Sequence, residues 1–170
     1  GLYEKENLTL LLQLLKKITT PVVLDIGANI GNHALAFSTV ANKVLAFEPL
    51  PAVYALLDRN VTQNNITNIQ TFPFALSDVE EDATIFMVSE GNVGASSFDK
   101  RNDNVEAVTV SKKIGDKVFQ ESGLKKLDMV KIDVEAHEVY VLRGLMQTLQ
   151  QHKPIITMEW NDPLTIERLN

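Results

Sequence analysis

The chain has 170 residues, 45% of them hydrophobic, with a formal net charge of −6 and no cysteine. That length suits one domain and that apolar content excludes a disordered chain. The acidic balance argues against tight binding to nucleic-acid phosphates, disulfide and thiol chemistry are excluded, and no apolar run is long enough to span a membrane.

The expectation is a single domain over residues 1–170, with an N-terminal helix within 1–20 and a core over 22–160. Glu4 to Ile18 predicts an amphipathic helix, with Leu8, Leu11, Leu12, Leu15 and Ile18 on one face and Thr19-Thr20-Pro21 ending it. Val22 to Ile26 is a β-branched, apolar run, the pattern of a buried strand. Asp25 stands near its end, Gly27-Ala28-Asn29-Ile30-Gly31 follows as a turn, and Asn32 to Ala41 predicts a helix. Strand, glycine turn and helix together form a ligand site, because glycine lets backbone approach closely and a helix start offers N–H groups.

This turn is not the dinucleotide pattern G-x-G-x-x-G, since Asn29 stands where the second glycine belongs. The carboxylate of Asp25 would repel a pyrophosphate and suits a cationic or hydrogen-bond-donating ligand. Lys43 to Glu48 predicts a second strand ending in an acid, about twenty residues past Gly27, where a doubly wound fold grips a ribose diol. Two acids so placed point to a nucleoside-bearing ligand of little negative charge, namely S-adenosyl-L-methionine (SAM).

Pro49 and Pro51 open a helix over about 52–64, with Val53, Leu56, Leu57 and Val61 on its apolar side. Ile69 to Ala75 is the third strand, with Pro73 placing it at an edge or bulge. Leu76 to Asp82 predicts a turn, and Ala83 to Val88 and Val105 to Val110 an added hairpin around the polar loop 89–104, which contains Ser96 and Ser97. A helix over Ile114 to Ser122, a strand over Leu127 to Asp133, one helix over Ala136 to Leu149 and a strand over Ile155 to Glu159 follow. The acid and aromatic Glu159-Trp160 suit a crevice rim, and Asn161 to Leu169 would begin another helix.

The fold class expected is α/β: a doubly wound, Rossmann-like sheet of order 3-2-1-4-5, helices on both faces and an extra β-hairpin after strand 3. Strands 6 and 7 of such a sheet are expected to be missing and the chain to be truncated at its C-terminus.

In one order occur Leu24-Asp25-Ile26-Gly27-Ala28-Asn29-Ile30-Gly31, Phe47-Glu48-Pro49, Ala75-Leu76-Ser77-Asp78, Gly94-Ala95-Ser96-Ser97 and Lys131-Ile132-Asp133-Val134-Glu135-Ala136-His137-Glu138. This ordered set resembles the FkbM-type family of class I SAM-dependent methyltransferases, over about Val22 to Glu159. One departure is Ala136, where the family usually has glycine. The resemblance implies that Asp25 orients the SAM amino group and that Glu48 accepts hydrogen bonds from both ribose hydroxyls. Gly27 and Gly31 then allow close approach, Asn29 shapes the turn, and Ala75, Leu76 and Asp78 lie near the adenine. Plainer roles exist: Asp25 as a turn cap, Glu48 at a helix start, Ser77-Asp78 as a turn pair.

Asp133 would face the crevice outside the strand ends, and an alcohol acceptor benefits from a general base, for which Asp133, Glu135 or His137 could serve. The same carboxylates and imidazole could instead hold a divalent metal, or be ordinary first-turn acids and a solvated histidine. The expected function is SAM-dependent O-methylation of a small-molecule or saccharide hydroxyl, without nucleic-acid or membrane partners and with no metal assigned. The alternatives are a nicotinamide-dependent oxidoreductase and a non-catalytic nucleoside-binding module. With no basic-then-apolar leader in the sequence, a cytoplasmic location is expected.

Overall fold

The computed structural model describes residues 2–88, 96–97 and 105–158. Loop 89–104, apart from 96–97, lies outside them, as do Glu159, Trp160 and the helix expected over Asn161 to Leu169.

The first sheet has five parallel strands: β1 (Val22–Ile26), β2 (Lys43–Phe47), β3 (Ile69–Phe72), β8 (Met129–Ile132) and β9 (Ile155–Met158), in the order β3-β2-β1-β8-β9. The second has four: β4 (Ala75–Ser77), β5 (Glu81–Val88), β6 (Ser96–Ser97) and β7 (Val105–Ile114), in the order β4-β7-β5-β6. The helices are α1 (Leu2–Leu15), α2 (Asn32–Ser38), α3 (Pro51–Gln63), α4 (Gly115–Glu121), α5 (Glu138–Gly144) and α6 (Met146–His152).

This corrects the expected sheet of order 3-2-1-4-5 with a hairpin attached and strands 6 and 7 missing. Nine strands occupy two sheets among the described residues, and the fourth and fifth strands of the chain belong to the second sheet. The reason lies at Pro73. It lacks an N–H for the ladder, so β3 leaves β2 after Phe72. Ala75 to Ser77, expected as a strand end and a turn, instead pairs in parallel with Lys112 to Ile114 of β7.

β1 is buried throughout, and its side chains alternate between two cores. Leu24 and Ile26 join Leu45, Phe47, Val130 and Ile132 against Phe119, Val141 and Leu145 of α4, α5 and the residue after it. Val23 joins Val44, Ala46 and Met129 against Ala34 and Phe37 of α2 and Leu15 of α1. Each fully buried large apolar side chain contributes about 1.5–3 kcal/mol relative to exposure. Leu8, Leu11 and Leu12 of α1 pack on the second core as their spacing predicts, but Leu56 of α3 is exposed rather than inward.

The single helix expected over Ala136 to Leu149 is two. Leu145, at φ −103°, separates α5 from α6, and its side chain is fully buried. Gly144 lies against β4: a Cβ there would come 1.9 Å from the Ser77 carbonyl oxygen. This contact binds the two sheets through α5. No helix among the described residues is long and apolar enough to cross a membrane.

Candidate functional site

The turn after β1 is held from both sides. Gly27 and Ala28 donate their N–H groups to the Phe47 carbonyl at 3.0 and 2.9 Å. Asn29 N–H donates to Glu48 Oε2 at 3.0 Å, Ile30 N–H to Asn29 Oδ1 at 2.7 Å and Gly31 N–H to the Ala28 carbonyl at 2.9 Å. All five consecutive N–H groups are therefore satisfied inside the chain. Gly27 has φ +76°, and a Cβ there would lie 1.8 Å from the Asp133 carbonyl oxygen, so no larger residue fits without movement. Asn29 sits at φ +51°, a left-handed conformation that asparagine tolerates.

Glu48 is buried, and its two carboxylate oxygens accept from Asn29 N–H and from Leu50 N–H, each at 3.0 Å. Burial raises its pKa above the ordinary 4.5, against the opposing pull of the Leu50 and Asn29 hydrogen bonds. The carboxylate ties the first turn to the start of α3. Each oxygen keeps a lone pair for a further donor.

Asp25 is fully buried in the middle of the sheet, in register with Ala46 on one side and Lys131 on the other. Neither carboxylate oxygen accepts a hydrogen bond from the described residues. Its charge is balanced by Lys131, whose Nζ lies 3.4 Å from Asp25 Oδ1 and 3.3 Å from Asp133 Oδ2, and donates to the Gly27 carbonyl at 3.0 Å. Burial alone would lower the Lys131 pKa, but the Asp25 and Asp133 carboxylates outweigh it and hold it above the ordinary 10.5. Sequence reasoning did not single out Lys131 as a site residue. The available signal was a lysine inside an otherwise apolar strand, Met129 to Ile132.

Asp133, half-buried, and Glu135, exposed, follow β8, and Asp133 N–H donates to the Ile26 carbonyl. Glu135 and Ala136 both have positive φ, at 49° and 72°. His137 is not a solvated helix residue. It is buried, its Nε2 lies 3.1 Å from Ser77 Oγ, and its ring stacks on Tyr140 with centroids 4.7 Å apart. Glu138 is also buried and accepts from Ala136 N–H at 3.2 Å.

Two groups result. Asp25, Gly27, Asn29 and Glu48 meet Asp133 through hydrogen bonds and Lys131. Ser77, Asp78 and His137 form a second chain of contacts, with Ser77 Oγ donating to Asp78 Oδ1 at 3.3 Å. Ala75 and Leu76 are buried in β4, and Gly31 caps α2. No group of three or more His, Cys, Asp or Glu side chains is placed to hold a metal ion among the described residues.

The parallel sheet, with its glycine turn and strand-end acids, defines a Rossmann-like α/β protein. The chain belongs to the FkbM-type methyltransferase family: that family's model, the methyltransferase FkbM domain, matches residues 25–168. It is 33% identical over 129 residues to the hexuronic acid methyltransferase AglP of Haloferax volcanii, covering 76% of this chain and 52% of that protein. It thus spans about half the length of that relative. The crystal structure of methyltransferase FkbM from Methylobacillus flagellatus superposes with a TM-score of 0.57 at 17% identity, over 82% of this chain and 32% of that one. A Streptococcus mutans protein whose structure was solved in complex with SAH superposes at 0.51 and 12% identity, over 85% of this chain and 65% of that one.

Proposed function

We propose that this chain binds SAM and serves a methyltransferase that moves a methyl group to a hydroxyl oxygen of a saccharide or other small molecule. The observation that carries this reading is an imbalance of donors and acceptors. The N–H groups of Gly27 to Gly31 are all used internally, while the buried Asp25 carboxylate accepts no hydrogen bond. A phosphate-binding turn needs free N–H groups. This one offers unmet acceptors, which suit the ammonium group of SAM and disfavour the pyrophosphate of a nicotinamide dinucleotide.

The residues present fit such a ligand. Asp25 attracts the ammonium, and Glu48 directs its spare lone pairs at the ribose hydroxyls while holding Asn29 and Leu50. Gly27 and Gly31 keep the turn low, and Ala75, Leu76 and Asp78 border the adenine. SAM, when bound, supplies a methyl group on a sulfonium and needs little chemical activation. The chain's task is then to align the acceptor and take its proton. Asp133 is assigned that proton because it is half-buried at the end of β8, whereas His137 is turned inward onto Ser77. Exposed Glu135 stands two residues further along as a second acceptor of charge. A saccharide acceptor is supported by the relative in Haloferax volcanii, which is named for a hexuronic acid.

The test is calorimetric titration with S-adenosylhomocysteine (SAH), beside NAD, of the wild type and of Asp25→Ala and Glu48→Ala. Micromolar SAH binding, lost in both variants and with no NAD binding, is expected. Binding of NAD in place of SAH would reverse the reading. Methyl transfer from labelled SAM to uronic acids, compared with amines, tests the oxygen acceptor in the full-length protein.

A further inference from the structure

We propose that Lys131 is a positioning residue of the cofactor site, holding the carboxylates of Asp25 and Asp133 and the carbonyl of Gly27 in one array. The inference rests on the SAM reading above and deepens it.

Lys131 stands in β8 directly in register with Asp25 of β1, so both side chains leave the same face of the sheet. Its side chain is only 10% exposed. The ammonium donates a hydrogen bond to the Gly27 carbonyl at 3.0 Å and forms ion pairs with Asp133 Oδ2 at 3.3 Å and Asp25 Oδ1 at 3.4 Å. These partners come from the turn after β1, the loop after β8 and β1 itself. β1 and β8 are already paired and Asp133 N–H already bonds the Ile26 carbonyl; Lys131 adds the side-chain link that gathers both carboxylates and the Gly27 carbonyl at one point.

Charge gives the second argument. Two carboxylates against one ammonium leave one negative charge, which matches a ligand bearing one ammonium group. Without Lys131 the buried Asp25 carboxylate and the half-buried Asp133 carboxylate would stand as like charges with no cation between them. Glu48, reached from β2, adds a third acid that feels both Asp25 and Lys131. The contacts to Asp25 and Asp133 are longer than the roughly 2.7–2.9 Å of tight charge-assisted bonds. Asp25 is therefore neutralised without being saturated, and it retains acceptors for a donor from the ligand.

The experiment is a double-mutant cycle on SAH affinity by calorimetry, with wild type, Lys131→Gln, Asp25→Asn, the double variant and Lys131→Arg. Lys131→Gln should weaken SAH binding by about tenfold or more, equivalent to roughly 1.4 kcal/mol. Lys131→Arg should recover part of that loss, since it keeps the charge. In the Asp25→Asn background the same Lys131→Gln change should have less than about twofold effect, because the lysine acts through the aspartate. If Lys131→Gln alone does not fold, the comparison of Asp25→Asn with the charge-balanced double variant decides. Unchanged affinity in Lys131→Gln, or an equal loss in both backgrounds, would overturn the role of Lys131 while leaving the SAM reading in place. Failure of the wild type to bind SAH would overturn both.

Discussion

His137 Nε2 lies 3.1 Å from Ser77 Oγ, a buried contact that joins the loop after β8 to the end of β4. The same hydroxyl lies 3.3 Å from Asp78 Oδ1, so Ser77 links the histidine to the acid that follows it. The bond carries the position of one sheet to the other. Ser77→Ala should cost about 1–3 kcal/mol, the penalty of a buried donor left unpaired, as read by urea unfolding. A change below about 0.5 kcal/mol would mean that water replaces the hydroxyl.

Gly27 and Gly144 both press on a carbonyl oxygen, with a Cβ placed 1.8 and 1.9 Å from Asp133 and Ser77. Backbone cannot give way as a side chain does. Overpacking of about 1–3 kcal/mol is expected at each position, and Gly27→Ala adds roughly 1–2 kcal/mol for its left-handed φ. Gly31→Ala carries left-handed strain as well, at φ +97°, but its Cβ meets the flexible ends of Leu35 and Leu57 rather than backbone, so it should lose less than Gly27→Ala. Thermal melts of the three variants check the ranking.

Ala136 occupies φ +72° beside Glu135 at +49°. Left-handed backbone costs a residue with a Cβ roughly 1–2 kcal/mol, against about 0.5–1 kcal/mol for the extra chain freedom of glycine. Ala136→Gly should therefore stabilise the protein by about 0.5–1 kcal/mol in denaturant unfolding. The bond from its N–H to the Glu138 carboxylate survives the change, since residue 136 contributes only its backbone N–H. A loss of stability would show that the alanine methyl group makes contacts worth more than the strain.

Glu48 has a folded pKa raised by burial above 4.5. A group raised on folding contributes stability that is present below its unfolded pKa and is lost as the pH rises through the folded value. The stability of the wild type relative to Glu48→Gln should consequently fall as the pH rises above 4.5. Glutamine also turns an NH2 group toward one of the N–H groups of Asn29 and Leu50, so it should weaken SAH binding at neutral pH. Parallel urea melts across that range test the sign.

Lys131 obeys the same sign at the alkaline end, with its pKa held above 10.5 by Asp25 and Asp133. Its contribution is complete below that value and fades as the pH climbs through the raised one. Lys131→Met leaves the buried Asp25 carboxylate with no cation and should cost about 3–5 kcal/mol at neutral pH. Adding Asp25→Asn should return part of the loss, measured by chemical denaturation. Equal stability of the single and double variants would contradict the pairing.

Much of this protein is legible along the chain because its determinants are local. The apolar run Val22 to Ile26, the glycine turn and the acids at Asp25 and Glu48 can be found by spacing alone, and strands form at each predicted run around them. What could not be found depends on partners distant in sequence. Lys131 is an ordinary residue until β8 aligns it with Asp25. His137 follows two acids and looks solvated until Ser77 meets it. The α5–α6 break and the second sheet were hidden for the same reason. The helical spacing of 136–149 runs unbroken through Leu145 and does not announce the break there, and only pairing with β7 makes Ala75 to Ser77 a strand.

Sequence by itself determined where apolar faces and turn-forming residues occur, because hydrophobic periodicity and glycine chemistry act over a few residues. Tertiary structure alone decided which charges share the crevice and which acceptors remain unmet. Those properties arise only when burial removes water and brings residues from β1, β2 and β8 within hydrogen-bonding and ion-pairing distance.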